Sequence, residues 1–149
     1  EVINGSKKRL WIYDSFEGLP EKSPEDASVA GEQFQEGELF ATKREVVEKF
    51  KRSGVRLPII KKGFFDELKP EQDLPEEICF GFLDGDLYQS IKVSLRLCYP
   101  RLTRGGVLVI HDYNNPELPG VTKAVDEFLR SKVLKIEIRD SLAILRYSS

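Results

Sequence analysis

Two apolar runs in the sequence stop abruptly in side chains that can bind a cation or accept a proton. Residues 78–83 are nearly all apolar, and Asp84 follows them. Residues 106–110 form a second apolar run, which ends in His111 and Asp112. Such runs are typical of buried strands in a parallel sheet, whose carboxyl ends lie at one edge. The sequence therefore predicts that these two strand ends meet at one site.

Composition narrows the class of protein. A chain of 149 residues with 40% hydrophobic and 32% charged residues fits a single domain, residues 1–149, with one core. The formal net charge of −2 gives no basic face, so we expect no nucleic-acid partner. We also expect no membrane partner, because the sequence has neither a membrane-length apolar run nor the apolar core of a signal peptide. A cytoplasmic location follows as an expectation.

Cys79 and Cys98 lie in apolar patterns without the spacing of a metal site, which predicts buried free thiols in a reducing compartment. The sequence contains no methionine and starts at Glu1. We therefore expect a segment upstream of these residues in the natural protein.

Strand and helix patterns alternate along the chain. This alternation predicts a doubly wound α/β fold, with a mostly parallel sheet and helices on both faces, and an antiparallel hairpin at the C-terminal edge. The predicted strands are residues 10–13, 55–60, 78–83, 106–110, 136–138 and 142–145.

Three helices are indicated between these strands. Thr42 and Glu45 have the spacing of a capping box, and Gly54 is a stop signal. Apolar residues recur at helical spacing from Tyr88 to Cys98, and again in a stripe within residues 119–129. Between residues 18 and 38 the sequence is polar, acidic and rich in Gly and Pro, which predicts either a lid over the site or a solvated insert.

The acidic residues at the strand ends each have two interpretations. Asp14 ends the first strand, where it can bind a ribose hydroxyl or serve as a turn residue. Asp84 and Asp112 offer the oxygen ligands that Mg²⁺ prefers. His111 is either a third ligand or a side chain oriented by a hydrogen bond. Asp86 stands just before a helix, which favours an N-cap.

Nucleotide-binding glycine motifs of the GxGxxG or P-loop type are absent from the sequence, and no serine has a nucleophile-elbow pattern beside the single histidine. Several longer strings are nevertheless distinctive, and they occur in a fixed order. They are YDSFEGLP (13–20), LDGDLY (83–88), YPRL (99–102), GG (105–106), HDY (111–113) and AVDEF (124–128). With these strings, nearly the whole chain resembles the macrocin O-methyltransferase family.

The resemblance implies a class I methyltransferase fold that uses S-adenosylmethionine, and several members methylate sugar hydroxyls with Mg²⁺. It implies that Asp84 is a metal ligand and proton acceptor, and that Asp112 completes the carboxylate pair. The small-molecule acceptor would carry a hydroxyl. The residues that the resemblance places at the cofactor are Asp14 on the ribose, Ser15 and Phe16 in the adjoining wall, and Gly63 and Phe64 beside the adenine.

Two departures from the family pattern bear on function. Members commonly have two acids where this chain has His111 and Asp112, which changes the expected metal ligands. The family's first βα unit, which binds the methionine end of the cofactor, is not found in the sequence. Two alternatives therefore stay open beside the methyltransferase: a non-catalytic remnant or assembly module of the same fold, and a metal-dependent hydrolase. A homo-oligomeric state is equally open.

Overall fold

The computed structural model of the chain describes residues 5–29, 33–132 and 134–147. These residues form two compact units. Unit 1 consists of Glu1–Pro20 and Phe34–Leu68, and unit 2 consists of Glu21–Gln33 and Lys69–Ser149. No helix among the described residues is both long and apolar enough to cross a membrane.

Strands and helices alternate along most of the chain, as predicted. The strands are β1 (Trp11–Asp14), β2 (Ile59–Lys62), β3 (Ile78–Leu83), β4 (Leu102–Ile110), β5 (Glu137–Arg139) and β6 (Leu142–Arg146). The helices are α1 (Lys43–Arg52), α2 (Pro70–Asp73), α3 (Tyr88–Cys98) and α4 (Pro119–Lys132). Short 3₁₀ turns occur at Pro24–Asp26, Phe65–Glu67 and Tyr99–Arg101.

Unit 1 contains a parallel pair of strands. β1 and β2 run in register from Trp11 opposite Ile59 to Asp14 opposite Lys62. The second predicted strand begins later than its apolar run, directly after Pro58. Proline has no N–H to donate to a neighbouring strand, so the residues before it stay outside the ladder.

Helix α1 begins and ends at the signals in the sequence. The Thr42 hydroxyl accepts a hydrogen bond from the Glu45 amide at 3.2 Å, and the Glu45 carboxylate accepts one from the Thr42 amide at 2.8 Å. This confirms the capping box. Past the helix, Gly54 takes a φ of +64°, a left-handed conformation that glycine adopts without strain.

Unit 2 is built on a four-stranded mixed sheet with the order β3-β4-β6-β5. β3 and β4 are parallel, whereas β6 is antiparallel to both β4 and β5. The C-terminal hairpin is therefore confirmed. The prediction of one mostly parallel sheet is corrected, because β1 and β2 form a sheet of their own and half of the strand pairs are antiparallel.

The two faces of the unit 2 sheet differ in burial. Leu108, Ile110, Ala143 and Leu145 point to one face and are at most 1% exposed. Helix α3 packs on β3 and against α4, and its buried side chains include Ile91 and Leu95. The periodicities that predicted α3 and α4 therefore mark faces that are partly or fully buried, as expected for amphipathic helices.

β3 departs from the prediction of a strand buried on both faces. It lies at the end of the sheet order, and Phe80 and Phe82 on the second face are 60% and 51% exposed. Cys79 is exposed as well, so the prediction of a buried thiol is wrong at this position. Cys98 is part-buried, and its burial raises the pKa of the thiol to about 11. Helices were predicted to cover both faces of the sheet, but Phe80 and Phe82 on the second face are exposed.

Candidate functional site

The loop after β3 carries two of the acids that the sequence pointed to. Asp84 follows the last strand residue and has 49% of its side chain exposed. The chain then turns sharply, with a left-handed φ of +58° at Asp86 and a hydrogen bond of 2.6 Å from the Leu87 amide to the Gly85 carbonyl. Aspartate tolerates this conformation better than most residues. The turn leads directly into α3.

The end of β4 lies beside that loop. The His111 amide donates to the Leu83 carbonyl at 3.0 Å, which continues the β3–β4 ladder by one bond. Asp112 then turns away with a left-handed φ of +56°. Its Oδ1 accepts a hydrogen bond of 2.9 Å from the side-chain amide of Asn115, a residue that the sequence did not single out. The turn and the amide fix where the Asp112 carboxylate points.

Asp84, His111 and Asp112 converge as predicted. His111 Nδ1 lies 3.1 Å from Asp84 Oδ1 and 2.8 Å from Asp112 Oδ2. One potential ligand atom from each of the three residues lies within 4.8 Å of the others, which is close enough for a single cation. We name these three residues the strand-tip cluster. The parallel pairing of β3 and β4 brings it together.

The imidazole of His111 takes part in both interactions through one nitrogen. Carboxylates accept hydrogen bonds, so Nδ1 must carry a proton when it bonds to Asp84 and Asp112. A metal ion at Nδ1 would need the lone pair in place of that proton. At Nδ1, therefore, the two interpretations of His111, ligand and hydrogen-bonded side chain, exclude each other at any one moment.

Asp86 does not have the predicted role of helix cap. The N-cap of α3 is Leu87, which has no side-chain acceptor. Burial first, and then the negative charges of Asp84 and Asp112, together raise the pKa of Asp86 to about 6 against the opposing effect of His111. Asp86 therefore keeps a proton more readily than an exposed aspartate does, first because it is buried and second because two carboxylates lie nearby.

The acceptor at the start of α3 comes from a distant part of the chain. Asp26 is only 3% exposed, and its Oδ1 accepts a 2.7 Å hydrogen bond from the Tyr88 amide. Asp26 lies in the acidic stretch that was expected to be a lid or a solvated insert. At Asp26 the stretch is therefore buried and bonded to the start of α3, unlike a solvated insert. Residues 30–32 of the stretch lie outside the described residues.

Unit 1 presents its own strand end. Asp14 closes β1, and its Oδ1 accepts a 2.6 Å hydrogen bond from the Phe16 amide. Its carbonyl accepts a 3.0 Å bond from the Gly63 amide just after β2. The turn interpretation of Asp14 is therefore confirmed, and a ribose contact stays a prediction.

The other residues assigned to the cofactor lie around the same strand end. Ser15 donates to the Gly18 carbonyl at 2.8 Å, and Phe16 is 6% exposed with a left-handed φ of +53°. Gly63 has a φ of +143°, and the Phe64 amide donates to the Glu67 carboxylate at 3.0 Å. All five residues therefore lie at the carboxyl ends of β1 and β2, where parallel sheets bind nucleotides.

The sequence profile of the macrocin-O-methyltransferase (TylF) family matches residues 1–143. The chain belongs to this family. Two curated relatives are enzymes that act on glycosylated natural products. The 8-demethyl-8-(2,3-dimethoxy-alpha-L-rhamnosyl)-tetracenomycin-C 4'-O-methyltransferase of Streptomyces olivaceus is 32% identical over 111 residues, covering 71% of this chain and 42% of the relative. The mycinamicin III 3''-O-methyltransferase of Micromonospora griseorubida is 30% identical over 128 residues, covering 81% and 49%.

Solved structures confirm the fold of this macrocin-O-methyltransferase family member. The O-methyltransferase NovP superposes with a TM-score of 0.80 over 97% of this chain and 62% of that chain, at 23% identity. The calicheamicin methyltransferase CalS11 superposes with a TM-score of 0.75 over 95% and 61%, also at 23% identity. The chain spans about half the length of the curated relatives that it matches.

Proposed function

We propose that the protein is an O-methyltransferase that transfers a methyl group from S-adenosylmethionine to a hydroxyl of a glycosylated small molecule. The observation that carries this proposal is the strand-tip cluster in a member of this family. Two carboxylates and an imidazole at the carboxyl ends of neighbouring strands are the groups that hold a cation or take a proton in a sheet of this kind.

The reaction needs a hydroxyl oxygen that can attack a methyl sulfonium. The new C–O bond forms as the S–C bond breaks, and the hydroxyl proton must leave. We assign proton acceptance to Asp84, because its carboxylate is half exposed and lies at the open end of β3. His111 Nδ1 bonds to the Asp84 carboxylate itself, and the Asn115 side-chain amide donates to the neighbouring Asp112 carboxylate.

The donor set of the cluster fits a divalent cation. Asp84 and Asp112 are the hard oxygen ligands that Mg²⁺ takes in ones and twos, with water and substrate supplying the rest. His111 would be a third ligand once Nδ1 has released its proton. When bound, Mg²⁺ supplies a lower pKa for a coordinated hydroxyl. The two carboxylates that lie beside one imidazole favour a cation between them.

For the cofactor we propose the strand end of unit 1. Asp14 would accept hydrogen bonds from the ribose hydroxyls with the carboxylate that already holds the Phe16 amide. Ser15 and Phe16 would line the wall beside it, and Gly63 and Phe64 would border the adenine. The support is the convergence of these residues at one strand end, together with the family's use of this cofactor.

The proposed acceptor class rests on the relatives. Their names place methyl transfer on a rhamnosyl tetracenomycin, on mycinamicin III and on demethyldecarbamoylnovobiocin. We therefore propose a sugar hydroxyl on a small natural product as the acceptor. The strand-tip cluster is suited to deprotonating such an alcohol.

The test is calorimetric titration of the purified protein with S-adenosylhomocysteine, with and without Mg²⁺. We expect micromolar binding that Asp14→Ala weakens by about 10- to 100-fold, the effect of losing hydrogen bonds to a charged group. Asp140→Asn is the matched control, because Asp140 is an exposed acid in the β5–β6 turn whose left-handed backbone suits asparagine equally well.

The outcomes separate the two leading functions. Binding that is lost in Asp14→Ala and kept in Asp140→Asn supports the methyltransferase and its cofactor site. Absence of binding in the unmodified protein contradicts it and favours the non-catalytic module of the same fold. Transfer of a labelled methyl group to a glycosylated acceptor, and none to the matched aglycone, then tests the acceptor class.

A further inference from the structure

Asp26 makes an unusual set of contacts for a residue in an acidic, polar stretch. Its Oδ1 accepts the bond from the Tyr88 amide, and its Oδ2 accepts bonds from the Ser23 amide at 3.0 Å and the Ser23 hydroxyl at 2.6 Å. Because the carboxylate is buried, these bonds replace the hydrogen bonds with water that it loses on folding. The favourable field at the N-terminus of α3 adds to them.

The chain around Asp26 is shaped to leave room for this carboxylate. A Cβ atom at Gly120 on α4 would lie 1.9 Å from Asp26 Oδ1 and 2.9 Å from the Cβ atom of Tyr88. Glycine at this position therefore allows α4 to approach the carboxylate. On either side of Asp26, Glu25 pairs with Lys123 at 3.4 Å and the Ser28 hydroxyl donates to the Pro116 carbonyl at 3.0 Å.

The hydrogen bond from the Tyr88 amide to Asp26 lies at one end of the loop that carries Asp84 and Asp86. The loop that bears Asp84 and Asp86 starts at the end of β3, where the Leu83 carbonyl is held by the His111 amide. It ends at Tyr88, whose amide is held by Asp26. The loop between these two anchors is a tight turn with a left-handed residue, so a shift at either anchor moves the carboxylates.

We propose that Asp26 is a positioning residue for the strand-tip cluster: through the Tyr88 amide it fixes the far end of the loop that carries Asp84. The inference rests on the proposed function for its catalytic meaning. Its structural part, that the carboxylate holds the loop, stands on the contacts alone. The Asp26 carboxylate bonds to the Tyr88 amide and to Ser23, so its effect on catalysis runs through the loop.

Hydrogen exchange of the full chain tests the structural part. Asp26→Ala removes the acceptor, and Gly120→Ala forces the carboxylate aside while substituting a better helix former. We expect both variants to lose amide protection selectively in residues 85–91, with little change in β4 and β6. Leu145→Ala, which opens the core under β6, is the matched control and should weaken protection broadly.

Asp26→Asn keeps an oxygen for the Tyr88 amide and should restore the protection that Asp26→Ala loses. Broad loss of protection in Gly120→Ala, or an Asp26→Asn variant no better than Asp26→Ala, would overturn the proposal. If Asp26→Ala does not fold, Gly120→Ala and Asp26→Asn still test whether the Asp26 carboxylate holds the loop.

Mn²⁺ binding, followed by electron paramagnetic resonance, tests the effect on the cluster. We expect Asp26→Ala to weaken Mn²⁺ affinity about tenfold, because residues that orient metal ligands change the affinity by such factors, and Asp26→Asn to recover it. Leu145→Ala should leave the affinity within twofold of the unmodified protein. Unchanged affinity in Asp26→Ala contradicts the positioning role. If the unmodified protein binds no Mn²⁺, the metal part of the proposed function fails, and hydrogen exchange alone decides whether Asp26 holds the loop.

Discussion

The two strand ends of the molecule use their acids in opposite ways. In unit 1, the Asp14 carboxylate bonds to the Phe16 amide two residues ahead, and its carbonyl bonds to Gly63. In unit 2, Asp84 and Asp112 turn toward the same imidazole. The first end is satisfied by its own backbone, and the second holds like charges together.

This difference determines how a bound ligand or cation would affect the stability of each strand end. A turn such as the one at Asp14 is stable by itself and presents a fixed surface to a ligand. Carboxylates gathered as in unit 2 repel one another, so the folded state is stabilised by any cation that enters, whether a proton or a metal ion. The unit 1 end is thus suited to shape recognition and the unit 2 end to cation chemistry.

The largest effect is expected from a change at Asp84. Asp84→Asn keeps the size of the side chain and removes the proton acceptor, so methyl transfer should fall about 10²- to 10⁴-fold, as loss of a general base does. Binding of S-adenosylhomocysteine should stay within a factor of two, because Asp84 lies outside the proposed cofactor site. Rate measurements under saturating cofactor, beside calorimetry, check both.

Asp140→Asn serves here too as the control for a lost negative charge, and its rate should match that of the unmodified protein. An Asp84→Asn variant that transfers methyl at the normal rate would contradict the comparison of the two strand ends. Asp84 in unit 2 would then have no role in the reaction step.

A smaller effect is expected on stability. The pKa of Asp86 is about 6 against its usual 3.8, so the folded protein holds a proton that the unfolded chain releases between these values. In metal-free protein the free energy of unfolding should therefore fall as pH rises from about 4 to about 6. Asp86→Asn removes this loss and should stabilise the protein at pH 7 by about 1–2 kcal/mol, allowing for partial exposure.

Denaturant unfolding in EDTA at several pH values measures this contribution. Asp14→Asn is the comparison, because it keeps the acceptor for Phe16 at a strand end without a second acid. We expect Asp86→Asn to abolish the fall in the free energy of unfolding between about pH 4 and about pH 6, and Asp14→Asn to leave that fall in place. A stability profile of Asp86→Asn that runs parallel to that of the unmodified protein would contradict the raised pKa of Asp86, which burial and the nearby carboxylates cause.

The smallest effect concerns the two thiols, which report whether these changes stay local. Cys79 is exposed and should react with a disulfide reagent at once. Cys98 should react far more slowly at pH 8, because burial limits access and raises the pKa of its thiol to about 11. Asp84→Asn and Asp86→Asn should leave the Cys98 rate unchanged, whereas Leu145→Ala should increase it. Fast Cys98 reaction in either aspartate variant would mean that the fold itself had changed.

The local parts of the fold could be predicted from the sequence because their signals are local. The capping box at Thr42 placed the start of α1, and helical periodicity placed α3 and α4. The abrupt ends of two apolar runs also placed Asp84 and Asp112 at one site, since parallel pairing is the usual arrangement of such runs. Each of these depends on residues close in sequence or on one general rule of sheets.

Features that depend on distant partners were predicted wrongly or not at all. An apolar composition indicated a buried β3, but exposure depends on which elements lie beside a strand, and Cys79 and Phe80 are exposed. Position alone favoured Asp86 as the cap of α3. The acceptor is Asp26, 62 residues before the amide that it binds, and no local pattern marks such a pairing.

The assignment of Glu21–Gln33 to unit 2, between two segments of unit 1, has a consequence for how the protein can be divided. The polypeptide passes from one unit to the other three times, at Pro20, Gln33 and Leu68. No single cleavage releases either unit as one continuous fragment. A chimera that exchanges unit 2 with a relative must therefore join the chains at three places, and it must carry the Asp26 segment along with the helices it contacts.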